Sequence, residues 1–255
     1  MKLSLIHSKS EKCLEIANIL KKKYYFFSEK ESDVIVALGG DGFILHSIHK
    51  YIAYNQPIFG INCGNLGFLL NSYQQEIDLI KTIEESTKFN IHPLSTEIEL
   101  TNGDKLKDTA FNEISILRST SNATHLSIYL NNELKLEQLI GDGVLVATPL
   151  GSTAYNLACR GNILPLYSNL LALTPINPFK PLNWNGAILK NDSKITIHNI
   201  DYKKRKINLF CDYKKYNNIK TCIIEENKNI TFSLLFNNTH DLNQKILKEQ
   251  FPTKN

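Results

Sequence analysis

The sequence predicts an α/β N-terminal domain with a mostly parallel, Rossmann-like sheet, followed by a β-rich C-terminal domain. Two observations predict it. Ahead of His92-Pro93, short apolar runs alternate with segments of helical period, and that β-α-β-α-β-α order calls for parallel strands covered by helices. Beyond it, short alternating runs are separated by turn residues such as Asn102-Gly103-Asp104 and Asn131-Asn132. The expected boundaries are 1–93, completed by 232–255, for the α/β domain and 94–231 for the β-rich one. No internal repeat or low-complexity linker interrupts the chain.

Each element has its own reason. Lys2–Ser8 reads as a short apolar strand. Glu11–Lys22 carries apolar residues at Leu14, Ile16, Ala17, Ile19 and Leu20, a helix laid on a sheet. Asp33–Leu38 reads as a strand, continuously apolar from Val34 on, as a strand buried on both faces must be. It runs into Gly39-Gly40-Asp41-Gly42. Phe43–Ala53 then reads as a helix with Phe43, Leu45, Ile48 and Ile52 inward. Pro57–Ile61 is a further strand and Gln75–Glu85 a further helix. In the second domain the strands expected are Thr96–Leu100, Ala110–Leu117, His125–Leu130, Gly143–Thr148, Lys194–His198 and Ile207–Phe210. A short helix is expected at Ala154–Cys159. Asn229–Phe251 reads as one strand and then a helix.

Bulk properties narrow the function. The 255 residues are 42% hydrophobic and 21% charged, enough to bury a sizeable core. A net charge of +4 requires no nucleic acid partner. The runs Lys21-Lys22-Lys23 and Lys203-Lys204-Arg205-Lys206 read as a solvated helix end and a solvated loop. The 5 cysteines are odd in number and show no C-x-x-C, which argues against a disulfide framework and a structural zinc. The first residues are too interrupted for a signal peptide, and no stretch approaches the ~18 apolar residues of a membrane span. The expected setting is the cytoplasm, with no membrane partner.

Three constellations carry chemistry. A buried strand feeding Gly39-Gly40-Asp41-Gly42 and a helix lets backbone N–H groups approach a phosphate, at the strand end where open α/β sheets place ligands. Asp41 would repel phosphate, so it either holds a divalent cation, accepts a proton from an attacking hydroxyl, or caps the helix. The chain lacks G-x-x-x-x-G-K-[ST] and lacks G-x-G-x-x-G after a strand, which excludes a P-loop and a Rossmann dinucleotide fingerprint. The second constellation is Gly141-Asp142-Gly143, an apolar strand, and the turn Thr148-Pro149-Leu150-Gly151-Ser152-Thr153-Ala154-Tyr155. Its small hydroxyl residues and its phenol suit ribose hydroxyls and a base. Ser152 or Thr153 could equally cap the following helix. The third is Asn112-Glu113, weak alone.

In their order these pieces resemble the NAD kinase family. The matching elements are Gly39-Gly40-Asp41-Gly42, Gly60-Ile61-Asn62-x-Gly64-x-Leu66-Gly67-Phe68-Leu69, Asn112-Glu113, Asp142-Gly143, the Thr148–Tyr155 turn and Pro175-Ile176-Asn177-Pro178. They span about Val34 to Pro181. The resemblance implies the two-domain fold of that family. It also implies ATP- and Mg²⁺-dependent phosphorylation of the 2′-hydroxyl on the adenosine ribose of NAD, giving NADP.

The resemblance also implies roles. Asp41 looks like the base that takes the hydroxyl proton, with Gly39, Gly40 and Gly42 beside the phosphates and the substrate. His46 stands where members often carry a basic residue near the ligand, and Phe68 would line the adenine end. Asn112 and Glu113 would bond the adenosine. Asp142, Thr153, Ala154, Tyr155, Asn156, Leu157 and Ala158 would form the dinucleotide pocket, with Ile176 on its wall. No resident metal ligand set is implied. Members are usually dimers or tetramers.

Departures are Leu150, the run Cys159-Arg160-Gly161-Asn162, and the missing His and Arg after Asn177. Lipid kinases of the diacylglycerol and sphingosine type and phosphofructokinase-like sugar kinases share the Gly-Gly-Asp-Gly loop alone. A non-catalytic dinucleotide-binding regulator is the reading from another class.

Overall fold

In the computed structural model the described residues are 1–64, 67–74, 78–238, 245, 247 and 251. The chain divides into two compact units, Met1–Ile91 with Thr231–Asn255 and His92–Ile230.

The first unit runs β1 (Leu3–His7), α1 (Glu11–Lys23), β2 (Val34–Gly39), α2 (Asp41–Tyr51), β3 (Ile58–Asn62), β4 (Asn71–Ser72), α3 (Leu79–Glu84) and β5 (Thr87–Ile91). Helix α1 starts where the Ser10 side chain caps the Cys13 amide, and ends on Lys21, Lys22 and Lys23. It buries Cys13, Ile16, Ala17 and Leu20, while Leu14 points outward at 41% exposure. All six residues of β2 are buried, as its apolar run requires.

The expected register of α2 is corrected by the structure. The helix begins at Asp41, not Phe43, and buries Ile44, Ser47, Ile48 and Tyr51. Those positions are spaced i, i+3, i+4 and i+7, one face of a helix. Phe43, Leu45 and Ile52 are only half-buried. The helix α3 starts at Leu79 with Asp78 as its cap; residues 75–77 of the longer helix expected there lie outside the described residues, as does Leu66.

The second unit contributes β6 (Leu94–Leu100), β7 (Lys105–Ala110), β8 (Glu113–Arg118), β9 (Thr124–Leu130), β10 (Glu133–Ala147), a 3-10 turn (Gly151–Thr153), α4 (Tyr155–Ala158), β11 (Leu170–Lys180), β12 (Ala187–Lys190), β13 (Ile195–Asn199), β14 (Ile207–Cys211), β15 (Lys214–Asn217) and β16 (Ile219–Glu226). They form one antiparallel sheet ordered β15-β14-β8-β10-β9-β13-β16-β6-β7, with β11 and β12 added on β10. Its core gathers Leu94, Ile114, Ile116, Val144, Val146, Ile197 and Leu209 among others. The two ends of the strand path meet through side chains: Lys214 Nζ and Tyr216 OH of β15 donate to Asp108 of β7 at 2.9 and 2.7 Å. The single strand expected over Ala110–Leu117 is two strands, broken at Phe111-Asn112.

Strand β17 (Phe232–Phe236) then enters the sheet of the first unit, ordered β1-β2-β3-β17-β5 with β4 on β3. Strands β1, β2, β3 and β17 are parallel, and β5 runs antiparallel to β17. Most of the terminal helix expected before Phe251 lies outside the described residues. Among the described residues no helix is long and apolar enough to cross a membrane.

Candidate active site

The candidate residues of the first unit gather at the carboxyl end of β2. Gly39 leads into Gly40, which caps α2 in an extended conformation with no side-chain cap. A Cβ on Gly39 would lie 2.6 Å from the Phe43 ring, so packing alone demands glycine there. Gly40 and Gly42 differ: a Cβ on either would meet nothing within 4 Å, and neither has positive φ. Open space lies above these two backbones.

Asp41 is not a helix cap. Its Oδ2 accepts from the Phe68 amide at 2.9 Å and its Oδ1 from the Leu69 amide at 3.0 Å. Each oxygen keeps a further lone pair for a ligand. The turn that supplies these amides is held in place from several sides. Asn71 donates to Gly60 O and Leu235 O at 2.9 and 3.0 Å and accepts from Asn237 N at 2.9 Å. Lys245 Nζ donates to Gly67 O and Leu70 O at 2.7 and 2.8 Å. The sequence reading missed Lys245; no motif marks it. Phe68 is 8% exposed, so its ring is buried and its amide faces Asp41. His46 is exposed on α2 and lines a shallow recess with His7, Glu29 and Lys50.

The second unit has its own cluster of candidate residues, around the middle of β10. That strand pairs with β9 as far as Gly141 and with β8 from Gly143, while β11 follows its other side. A Cβ on Gly143 would stand 1.9 Å from Ile116 O and one on Gly141 2.9 Å from Asn177 O, so only glycines let the strands approach here. Asp142 sits between them. Arg118 Nε is 2.7 Å from its Oδ1 and Asn177 Nδ2 donates to its Oδ2 at 2.9 Å.

Asn112 and Glu113 lie at the start of β8. The carboxylate of Asp212, in the two-residue turn between β14 and β15, accepts the amides of Phe111, Asn112 and Glu113 at 2.8, 2.9 and 3.2 Å. Asp212 has φ 53°, which aspartate tolerates. Sequence reading missed it because a lone Asp in a hairpin carries no signature. The Asn112 carbonyl in turn accepts from Thr148 N at 2.9 Å. Gly151 packs on that same carbonyl; a Cβ there would be 2.2 Å away. Among the described residues the buried Asn112 Oδ1 and Glu113 Oε2 have no hydrogen-bond partner. Burial, aided by the Asp212 charge, pushes the Glu113 carboxyl up to about 8.

The small-hydroxyl turn divides into braces and a lining. Ser152 is fully buried: its Oγ donates to Pro149 O at 2.8 Å and accepts from Leu164 N at 3.0 Å. Asn156 is also fully buried. Its amide donates to Ser152 O and Asn162 O at 3.0 Å each and accepts from Thr174 Oγ1 at 2.7 Å. With these bonds the Asn156 side chain braces the loop from inside. Thr153, Ala154 and Leu157 are half-buried, and Tyr155 and Ala158 are exposed. Tyr155, Ala158, Cys159, Arg160, Ile176, Asn177 and Trp184 line a groove of about 520 Å³. That volume suits part of a dinucleotide. Burial and the neighbouring Cys159, Glu113 and Asp142 raise the Tyr155 phenol above its ordinary range, so these groups share one electrostatic patch. The sequence reading missed Trp184, whose segment showed no periodic pattern. Among the described residues no cluster of His, Cys, Asp and Glu forms a metal-ligating group.

Comparison with known proteins extends this geometry. Residues 6–86 match the ATP-NAD kinase N-terminal domain and residues 111–222 the ATP-NAD kinase C-terminal domain. An NAD kinase of Rickettsia prowazekii is 42% identical over 250 residues, 98% of each chain. Two solved structures share the fold. Yeast NADH kinase complexed with NADH superposes with TM-score 0.79 at 19% identity, covering 100% of this chain and 89% of that one. An Archaeoglobus fulgidus NAD kinase in complex with ATP gives 0.77 at 23% identity, covering 97% and 99%.

Proposed function

The chain belongs to the NAD kinase family, and on that premise we infer that it transfers the terminal phosphoryl group of ATP to the 2′-hydroxyl of the adenosine ribose of NAD, giving NADP. The observation that carries the reading into this chain's own residues is the pair of buried acceptors without partners, Asn112 Oδ1 and Glu113 Oε2. Buried polar atoms are almost always satisfied, so two unfilled acceptors side by side call for a donor from outside. Ribose hydroxyls and the adenine amino group are such donors. The groove beside Tyr155 and Ile176 then takes the remainder of the dinucleotide.

Asp41 acts as the base. A sugar hydroxyl is a poor nucleophile at neutral pH, and a carboxylate fixed by two amides with lone pairs to spare can accept its proton as the new bond forms. The open cradle at Gly40 and Gly42, at the N-terminus of α2, suits phosphate oxygens. Mg²⁺ fits the same donors: it is held mainly by phosphates and water and needs at most a carboxylate such as Asp41. When bound it supplies charge neutralisation on the phosphoryl oxygens. The same reading places the enzyme in the cytoplasm, which suits its five free thiols, and gives it a homodimeric or homotetrameric state to be measured by light scattering.

The test is incubation of purified protein with Mg²⁺-ATP and NAD, with NADP read by an NADP-specific dehydrogenase. NADP formation that falls by about 10²–10⁴-fold in Asp41→Asn is expected. NAD binding without NADP formation would replace this reading with that of a regulator. Turnover of diacylglycerol or fructose 6-phosphate instead would move the chain to another kinase class.

A further inference from the structure

We propose that Lys245 is a positioning residue for the base, acting through the turn that holds Asp41. The inference rests on the reading of Asp41 as that base. Lys245 Nζ bonds the carbonyls of Gly67 and Leu70, the two ends of a four-residue turn. The two amides inside that turn, Phe68 N and Leu69 N, hold one Asp41 oxygen each. A continuous path of hydrogen bonds therefore links the ammonium to the carboxylate, although the two residues lie far apart in the chain.

Gly67, Phe68, Leu69 and Leu70 are all buried, so water is a poor substitute for the ammonium. Lysine can serve both carbonyls because it carries three N–H donors on one atom. Burial lowers the Lys245 pKa and the Asp41 charge opposes that fall, which places the two ions within each other's field. Removing the ammonium would leave two buried carbonyls without their donor. The turn would then relax, and the Asp41 oxygens would move with the amides they follow. Such a displacement costs turnover and leaves the nucleoside contacts of the second unit untouched.

The test uses the full chain with Lys245→Met, Lys245→Arg, Asp41→Asn and the double variant Asp41→Asn/Lys245→Met. Lys245→Met is expected to lower kcat by about 10- to 100-fold, the scale of a displaced reacting group. KM for NAD should stay within about twofold, since the loss falls on the transition state. Lys245→Arg, whose guanidinium can also reach two carbonyls, should recover most of the loss. In the Asp41→Asn background, Lys245→Met should cause no further fall in kcat, because its route through the carboxylate is already gone. Wild-type kcat in Lys245→Met overturns the proposal, as do losses that multiply in the double variant. If Lys245→Met fails to fold, Lys245→Gln takes its place under the same criteria. An active Asp41→Asn variant fails the base reading by itself, a result that does not involve Lys245.

Discussion

Replacing Asp41 by asparagine tests two roles of one carboxylate, the amide clamp of the structure and the proposed base. The aspartate accepts amides from Phe68 and Leu69 at 2.9 and 3.0 Å. Asparagine can accept only one of them, and its own NH₂ then faces the other amide, donor against donor. Losing a hydrogen bond to a charged acceptor costs about 1.5–3 kcal/mol, and a buried amide without a partner about 1–3 more. The resulting destabilisation of about 2.5–6 kcal/mol corresponds to a Tm lowered by roughly 5–24 °C at this size. Catalysis should fall further: loss of a general base removes about 10²–10⁴-fold of turnover. The assay is kcat and KM by coupled NADP detection, run well below the lowered Tm, beside a thermal melt of the same preparation. Turnover within about threefold of wild type would refute the base. An unchanged Tm would refute the two-amide clamp.

Three further substitutions test the rest of the site. Gly40→Ala should leave stability within about 0.5 kcal/mol, because the new methyl meets nothing within 4 Å, yet should lower kcat/KM for ATP if phosphate fills that space; a fully active variant would deny the cradle. Gly151→Ala puts a methyl 2.2 Å from the Asn112 carbonyl, so it should cost about 1–3 kcal/mol in urea melts and raise KM for NAD by moving Asn112. Glu113 gives a pH signature. Its folded pKa is raised from 4.5 to about 8, so its stabilising share is complete below pH 4.5 and is lost as pH rises through about 8. Across that window wild type should lose up to about 1.4 kcal/mol per pH unit relative to Glu113→Gln in denaturation. On the proposed reading ribose hydroxyls bond the carboxylate, so KM for NAD should also fall from pH 6 to 8 in wild type and stay flat in Glu113→Gln; parallel curves would remove Glu113 from the ligand.

Much of the first unit was legible in the sequence because its signals are local. An unbroken apolar run such as Val34–Leu38 suits a buried strand, and Gly-Gly-Asp-Gly at its end marks a turn into a helix. Helix α2 was legible as a helix, but of the residues expected to face inward only Ile48 is buried. The reason is that Ser47 is buried by donating to the Phe43 carbonyl, and Tyr51 by reaching Glu29. Hydropathy counts neither. Strand β5 escaped because four of its five residues are not buried, so no alternation showed. The first half of β10 is likewise mostly exposed and polar.

By itself the sequence determined the two kinds of domain, the family and the identity of the residues in the glycine loop and the Thr148–Tyr155 turn. Those follow from local rules of period, turn chemistry and motif order. Tertiary structure alone decided what each side chain does there. Asn156, which stood among the expected pocket residues, braces the loop because Thr174 and Asn162 close around it. Asp212 orients Asn112 and Glu113 from a hairpin about a hundred residues further on. Lys245 closes the turn that holds Asp41. Each depends on a partner distant in the chain, and no pattern along one segment encodes which buried donor will meet which acceptor once the sheets have formed.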